Sequence, residues 1–254
     1  MTAGNGVAPA GGVLVVTGAS RGIGAAVARM AGARGYAVCV NYKSASGRAA
    51  EVVADITEAG SRAVAVQADM ASEDDIVRLF ETTDRALGPA TALVNNAGIT
   101  GPNCLIEDVD GATLETVFRT NVAGYFLCAR EAIKRMSVKN GGGGGAIVNV
   151  SSVAALLSNA FEWVHYGASK AAVDTFTMGL ALEAAEHGIR ANGVRPGPTV
   201  TDLLRSERDE RLAPTIPLKR AAMPDEIAEA ILWLLSDKAS YCTGATLNVS
   251  GGRQ

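Results

Sequence analysis

Short, strongly apolar runs recur along these 254 residues, and segments with helical spacing lie between most of them. The runs cover 13–17, 37–40, 63–66, 92–94, 146–150, 189–194 and 246–249, and the first five contain no charged residue. A strand with one wet face would alternate apolar and polar residues, so runs without alternation predict strands buried on both faces. Helical patterns fall over 25–33, 48–58, 74–87, 114–136 (one or two helices), 166–186 and 225–235. Val52, Val53 and Ile56 share one face of the second helix, Ile76, Leu79 and Phe80 one face of the third, and Gly88-Pro89 stops the latter. Strands in alternation with helices, joined by right-handed crossovers, predict an α/β fold: a single-domain, Rossmann-type, doubly wound parallel sheet of about seven strands with helices on both faces. No linker divides the chain. The expected organisation is a flexible tail over 1–12 and one domain over 13–254.

Composition narrows the class. Of the 48% hydrophobic residues, 45 are alanine, which leaves a soluble core rather than membrane material. No run reaches the ~20 apolar residues of a membrane helix, and the N-terminus lacks the basic and apolar regions of a signal peptide. A net charge of -3 argues against a nucleic-acid partner. Cys39, Cys104, Cys128 and Cys242 are far apart and form no C-x-x-C, so neither a metal site nor a disulfide framework is expected. Reduced thiols suit a cytoplasmic enzyme. Gly141 to Gly145 is the one low-complexity run; it reads as a flexible turn before the fifth strand.

The first strand leads into Thr17-Gly18-Ala19-Ser20-Arg21-Gly22-Ile23-Gly24 and then a helix. Glycines tighten such a turn and admit a pyrophosphate to the backbone, while the helix N-terminus favours negative charge. The spacing is G-x-x-x-G-x-G, not G-x-G-x-x-G, and three glycines also describe an ordinary tight βα turn. After the second strand the chain reads Asn41-Tyr42-Lys43-Ser44. An acidic residue there would hold the ribose 2′-hydroxyl of NAD. Its absence, with Lys43 and Arg21 as cations for a 2′-phosphate, favours NADP(H) over NAD(H).

Tyr166-Gly167-Ala168-Ser169-Lys170 carries the chemistry. Positions i and i+4 share a helix face, so the Lys170 ammonium would lie near the Tyr166 oxygen or the ribose beside it. An unperturbed tyrosine, at about 10, is too basic for proton transfer at neutral pH. A nearby cation stabilises the phenolate.

With these residues in view, the sequence resembles the short-chain dehydrogenase/reductase family, of the compact, classical type, from about residue 13 to 252. The resemblance rests on six motifs in order: T-G-x-x-x-G-x-G at Thr17 to Gly24, N-N-A-G at Asn95 to Gly98, Asn121, Ser152 after the fifth strand, Tyr166 with Lys170, and P-G-x-x-x-T at Pro196 to Thr201. It implies hydride exchange between NADP(H) and a ketone or secondary alcohol. Tyr166 would be the general acid or base, and Ser152 would hold the carbonyl oxygen. Lys170 would lower the Tyr166 pKa and bind ribose, and Asn121 would hold a water linking Lys170 to solvent. Ser151 also could face the site; family usage favours Ser152.

For the cofactor, the resemblance adds Gly18, Ser20, Arg21, Gly22, Ile23 and Gly24 of the turn, Asn41, Tyr42 and Lys43, and Asp69 with Met70 near the adenine. Asn95, Ala97, Gly98, Pro196, Gly197, Thr199 and Thr201 complete the set. Asp69 also reads as a turn or capping residue, Asn95 as a brace of the sheet, and Thr201 as a helix cap. Substrate choice would fall to 100–106, to 156–165 with Phe161, Trp163 and His165, and to a mobile lid over 199–218. Arg205, Arg208 and Arg211 in that lid read as a solvated face or as contacts for an anion. His165 reads as packing. Family members are commonly homotetramers, and Ala168, Ala171 and Ala172 would permit close helix approach there or within the chain.

Overall fold

A computed structural model describes residues 11–201 and 212–253. Most of the expected tail, and the three lid arginines, lie outside the described residues. Seven parallel strands form one sheet in the order β3-β2-β1-β4-β5-β6-β7. They are β1 (Val13–Val16), β2 (Ala37–Tyr42), β3 (Ala63–Gln67), β4 (Ala92–Asn95), β5 (Gly145–Val150), β6 (Ile189–Pro196) and β7 (Thr246–Val249). The helices are α1 (Gly22–Ala33), α2 (Ser46–Glu58), α3 (Glu73–Ala86), α4 (Gly111–Phe118), α5 (Gly124–Met136), α6 (Ala154–Leu157), α7 (Val164–Ala185) and α8 (Pro224–Leu235).

Burial on both faces follows from the uncharged strands. In β1, Leu14 and Val16 join one apolar cluster with residues of α1, α2 and α8. Val13 and Val15 join another with residues of α3, α5 and α7. All four valine and leucine side chains are buried, as period-2 geometry requires of a sheet covered on both sides. The order reverses between β1 and β4. A crevice therefore opens at the carboxyl ends of these strands, where connections leave in opposite directions.

Two stretches depart from the expected pattern. The helical stretch over 114–136 is interrupted by a π-helical segment at Arg119–Ala123, which separates α4 from α5 and turns Asn121 inward, fully buried. The glycine run is not a flexible turn. Its last member, Gly145, is already in β5 and pairs with Ile189, and a Cβ there would lie 2.5 Å from the Thr91 oxygen. Gly142 is pressed on the backbone of Arg135 and Met136, whereas Gly143 faces open space. The run thus lets the end of α5 pass closely over the start of β5. Gly142→Ala should destabilise the protein by about 1–3 kcal/mol, the usual cost of overpacking, and lower Tm by several degrees. Gly143→Ala should leave Tm within about a degree, the range of a surface change. Thermal denaturation of the two variants checks the contrast.

Candidate active site

The glycine turn and the end of β4 are tied together. Thr17 Oγ1 accepts from the backbone N–H of Asn96 and of Ala97, at 2.9 and 3.0 Å. The Asn96 side-chain amide donates to the carbonyls of Thr17 and Gly18, at 2.9 and 3.1 Å. Gly18 then sits so close to Ala97 that an added Cβ would lie 3.0 Å from its Cα. Asn41 Oδ1 accepts the Gly18 N–H at 3.0 Å, and its amide donates to Val66 and Ala68. Asn41 therefore shapes the turn from the β2 side. α1 begins at Gly22 with no capping hydrogen bond from the Arg21 side chain, which leaves the positive end of the helix facing the crevice and open to negative charge.

A cleft of about 450 Å³ runs along this edge of the sheet. Gly18, Ser20, Arg21, Gly22, Ile23, Asn41, Tyr42, Lys43, Asp69, Met70, Ala97, Gly98, Pro196, Gly197, Thr199 and Thr201 all line it, as do Ser152, Tyr166 and Lys170. Two expected cofactor contacts do not. Asn95 is fully buried and braces the sheet interior, its amide donating to Asn149 Oδ1 at 3.0 Å and to the Tyr125 carbonyl at 3.3 Å. Its neighbour Asn96 takes the wall position instead, because successive residues at a strand end point to opposite sides. Gly24 lies behind the turn, where a Cβ would come within 2.5 Å of the Gly18 oxygen and the Asn96 amide. Its lack of a side chain serves helix–turn packing.

At the β2–β3 flank two of the expected cofactor contacts pair with each other. Lys43 Nζ lies 2.7 Å from Asp69 Oδ2, and Asp69 Oδ1 accepts the Ala71 N–H. The β3 end thus brings a carboxylate against Lys43, a pairing that spacing in the sequence does not show.

At the other flank, β5 ends in the two serines. The Ser151 hydroxyl is buried and donates to the Lys170 carbonyl at 3.0 Å. Ser152 is partly exposed, and its Oγ accepts the Ala154 N–H at 3.1 Å. α6 then packs on α7 at Gly167, where a Cβ would lie 2.7 Å from the Ser158 oxygen; this contact fixes the start of α7, whose Tyr166 lines the cleft with Ser152. His165 Nε2 lies 2.8 Å from the Thr100 carbonyl and is buried, so it acts in packing. Trp163 lines the cleft, while Phe161 is exposed on a loop with positive φ at Ser158, Asn159 and Phe161.

Lys170 is 3% exposed. Its ammonium donates to the Val150 carbonyl at 2.8 Å and to the Tyr125 hydroxyl at 3.2 Å. It stands 5.8 Å from the Tyr166 ring centre and 5.1 Å from that of Tyr125. Burial pushes Lys170 down to about 7, and the Asp174 carboxylate one turn along offsets part of this. Burial likewise pushes the Tyr125 hydroxyl up, so it stays neutral. Tyr125 was not singled out in the sequence: an aromatic residue on an apolar helix face carries no mark of a buried ammonium beneath it. Asn121 accepts from the Ile99 N–H at 2.9 Å, and its amide donates to the Ile99 carbonyl at 2.9 Å and to Ser169 Oγ at 3.0 Å. Ser169 in turn donates to the Tyr166 carbonyl. Both amide hydrogens of Asn121 are therefore engaged with protein, and its side chain braces the loop after β4 against α7.

Residues 12–212 match the model of the short chain dehydrogenase family. The chain is 49% identical over 245 residues to an uncharacterized oxidoreductase, YgfF, of Escherichia coli (strain K12), covering 95% of this chain and 99% of that protein. It is 40% identical over 241 residues to a 3-oxoacyl-[acyl-carrier-protein] reductase of Synechocystis, covering 94% and 96%. Among solved structures, a short chain dehydrogenase from Burkholderia cenocepacia in complex with NADP is similar at a TM-score of 0.89 and 30% identity, covering 96% of this chain and 98% of that one. The match over most of the chain, on a seven-stranded sheet with the cleft at its switch point, makes this protein an oxidoreductase of the short-chain dehydrogenase family.

Proposed function

We propose that the protein reduces a ketone with NADPH, or oxidises the corresponding secondary alcohol with NADP. The observation that carries this reading is the convergence of Ser152, Tyr166 and Lys170 on one cleft whose opposite wall is the glycine turn. The cradle fits a dinucleotide: an uncapped helix N-terminus, and a turn at Gly18 with no room for a side chain against Ala97. Gly18 to Ile23 and Ala97-Gly98 would hold it, with Pro196 to Thr201 at the nicotinamide end. When bound, the cofactor supplies hydride to, or accepts it from, the carbinol carbon.

The chain's own residues manage the proton. Tyr166 donates its hydroxyl proton to the carbonyl oxygen as negative charge develops there, and Ser152 steadies that oxygen by a hydrogen bond. Lys170 is the charge that makes the phenolate accessible. Val150 and Tyr125 fix the ammonium beneath the Tyr166 ring, so its attraction is exerted in a poorly solvated place where it is strong. Asn121, through Ile99 and Ser169, fixes the loop after β4 against α7 and so positions Tyr166. The half-exposed Ala171 and Ala172, with exposed Met178 and Leu182 on α7 and Phe126 on α5, support a homo-oligomer built on these helices.

Arg21 and Lys43 at the adenosine end support NADP(H). The Asp69 carboxylate beside Lys43 favours the second reading, an NAD(H)-preferring dehydrogenase, and cofactor kinetics decide between them.

Tyr166→Phe should lower kcat by about 10²–10⁴-fold, the range of a general acid, while NADPH affinity, measured by fluorescence titration, stays within about twofold. Turnover like the wild type's would overturn the assignment. The wild type should prefer NADPH, and Arg21→Ala with Lys43→Ala should reduce the NADPH/NADH ratio of kcat/KM by about 10-fold or more, as charge-assisted contacts to a phosphate are worth. Equal efficiency with both cofactors in the wild type would defeat that preference.

Lys170 gives a further test. Its folded value, about 7, lies below the unfolded one, 10.5, so between these the unfolded chain binds the extra proton. The buried lysine is most destabilising below pH 7, and the cost diminishes as pH rises. From pH 7 to about 9 the gain is about 2 kcal/mol, because the slope climbs from half of its full ~1.4 kcal/mol per unit as the folded lysine loses its proton. Chemical denaturation of the cofactor-free protein should show this rise, and Lys170→Met should flatten it.

A further inference from the structure

The cleft has two ends of different chemistry. Asp69, at the β2–β3 flank, is the one carboxylate among its described lining residues, and Lys43 neutralises it. The β5–β7 flank, beyond Tyr166, is walled by Val153, Ala154, Leu157, Trp163 and Leu212, with no acidic residue among those described. Arg253 lines this same end.

The position of Arg253 is set by packing. It follows β7, at the far edge of the sheet from β3. The Arg253 N–H donates to the Ser250 carbonyl at 3.2 Å, closing a turn in which Gly251 and Gly252 have φ of +63° and +88°. That turn is wedged in place. A Cβ on Gly251 would lie 2.8 Å from Ile216, one on Gly252 would lie 2.9 Å from Pro217, and one on Gly197 would lie 2.8 Å from the Ser250 Cα. The Leu218 N–H donates to the Gly251 carbonyl. The guanidinium, carried on this rigid turn, makes no ion pair or hydrogen bond with another described side chain.

A guanidinium that lines a cleft beside apolar side chains, with no carboxylate among the described lining residues of that end, has fewer competing partners than one on an open surface. Its planar fork matches a carboxylate or phosphate. We propose that Arg253 is a substrate-anchoring residue and that the substrate is an anionic carbonyl compound. Its carboxylate, or a phosphate on a longer arm, docks on Arg253 while the carbonyl lies at Ser152 and Tyr166. This assignment rests on the reading of the cleft as a ketone reductase site and adds to it the class of substrate.

The test is steady-state kinetics with NADPH on a panel of 2- to 5-oxo acids, each paired with its methyl ester, and on an oxoacyl thioester of phosphopantetheine paired with its dephosphorylated form. Wild type, Arg253→Gln and Arg253→Lys are compared. The wild type should favour the anionic member of at least one pair. Arg253→Gln should lower kcat/KM for that anion by about 10- to 100-fold, the range of a charged hydrogen-bonded contact, chiefly through KM. The neutral partner should change by less than about twofold, and Arg253→Lys should recover part of the loss. The carboxylate and phosphate pairs tell the two sources apart. If the esters turn over but the anions gain nothing from Arg253, or if Arg253→Gln weakens both members of a pair equally, the anchor is overturned while the reductase reading stands. No turnover of any compound overturns both.

Discussion

The hydrogen bonds that Thr17 and Asn96 make across the gap between β1 and β4 hold the working end of this molecule together. These strands are neighbours in the sheet, yet their connections leave toward opposite faces, so their carboxyl ends would otherwise part with backbone groups exposed. Thr17 Oγ1 takes up two N–H groups of the β4 loop, and the Asn96 amide takes up two carbonyls of the glycine turn. Paired in this way, the two loops form a floor without side chains, because Gly18 already touches Ala97 and Gly24 already touches Asn96. The absence of bulk in the turn is thus a packing requirement first, and the access it gives a dinucleotide is a consequence.

The opposite wall depends on a costly arrangement. A lysine ammonium 3% exposed loses most of its hydration, and its depressed pKa records that loss. Two acceptors, the Val150 carbonyl and the Tyr125 hydroxyl, recover part of it. The Tyr125 hydroxyl also donates to Val150 at 3.0 Å, so the three groups form one closed unit. One of the ammonium's three donors remains for the cleft. The π-helical segment before α5 contributes indirectly: it buries Asn121, and Asn121 links Ile99 to Ser169 one residue before Lys170. Local strain in the helix and a buried charge therefore serve one geometry.

The sheet was legible in the sequence because parallel strands buried on both faces read as near-continuous apolar runs, with charge entering only in β6 at Arg190 and Arg195, and that constraint is local. The cleft was legible where a motif coincides with a backbone requirement, as at Gly18 and Gly22, or where a helix face is fixed by spacing, as at Tyr166 and Lys170. Adjacent identical residues were harder. The Ser151 hydroxyl is tied to the Lys170 carbonyl while Ser152 is partly exposed, and Asn95 braces the sheet interior while Asn96 lines the cleft; only the register of each strand end decides which. Pairings between distant segments were not legible. Lys43 with Asp69, Tyr125 with Lys170, and Arg253 at the cleft each join residues that share no spacing in the chain. The glycine run misled for a related reason: low complexity resembles slack, whereas Gly142 and Gly145 are excluded from having side chains by backbone that arrives from elsewhere.

Whole-chain charge was the least instructive quantity, and its distribution explains why. The chain carries a formal charge of -3, yet the described cleft residues comprise Arg21, Lys43, Lys170 and Arg253 against Asp69. A concave, partly apolar site concentrates the field of the charges that line it, so a negative protein can present a positive cleft. At the adenosine end that field is moderated by Asp69. At the β5–β7 end nothing among the described residues moderates it, and the apolar wall keeps it from being screened. Such a gradient orients an anionic substrate before contact: the charged tail is drawn toward Arg253, and the carbonyl is left near the hydroxyls of Ser152 and Tyr166. Because the motif residues fill the middle of the sheet edge, recognition is confined to its outer end, where one cation on a rigid turn can set the class of molecule accepted.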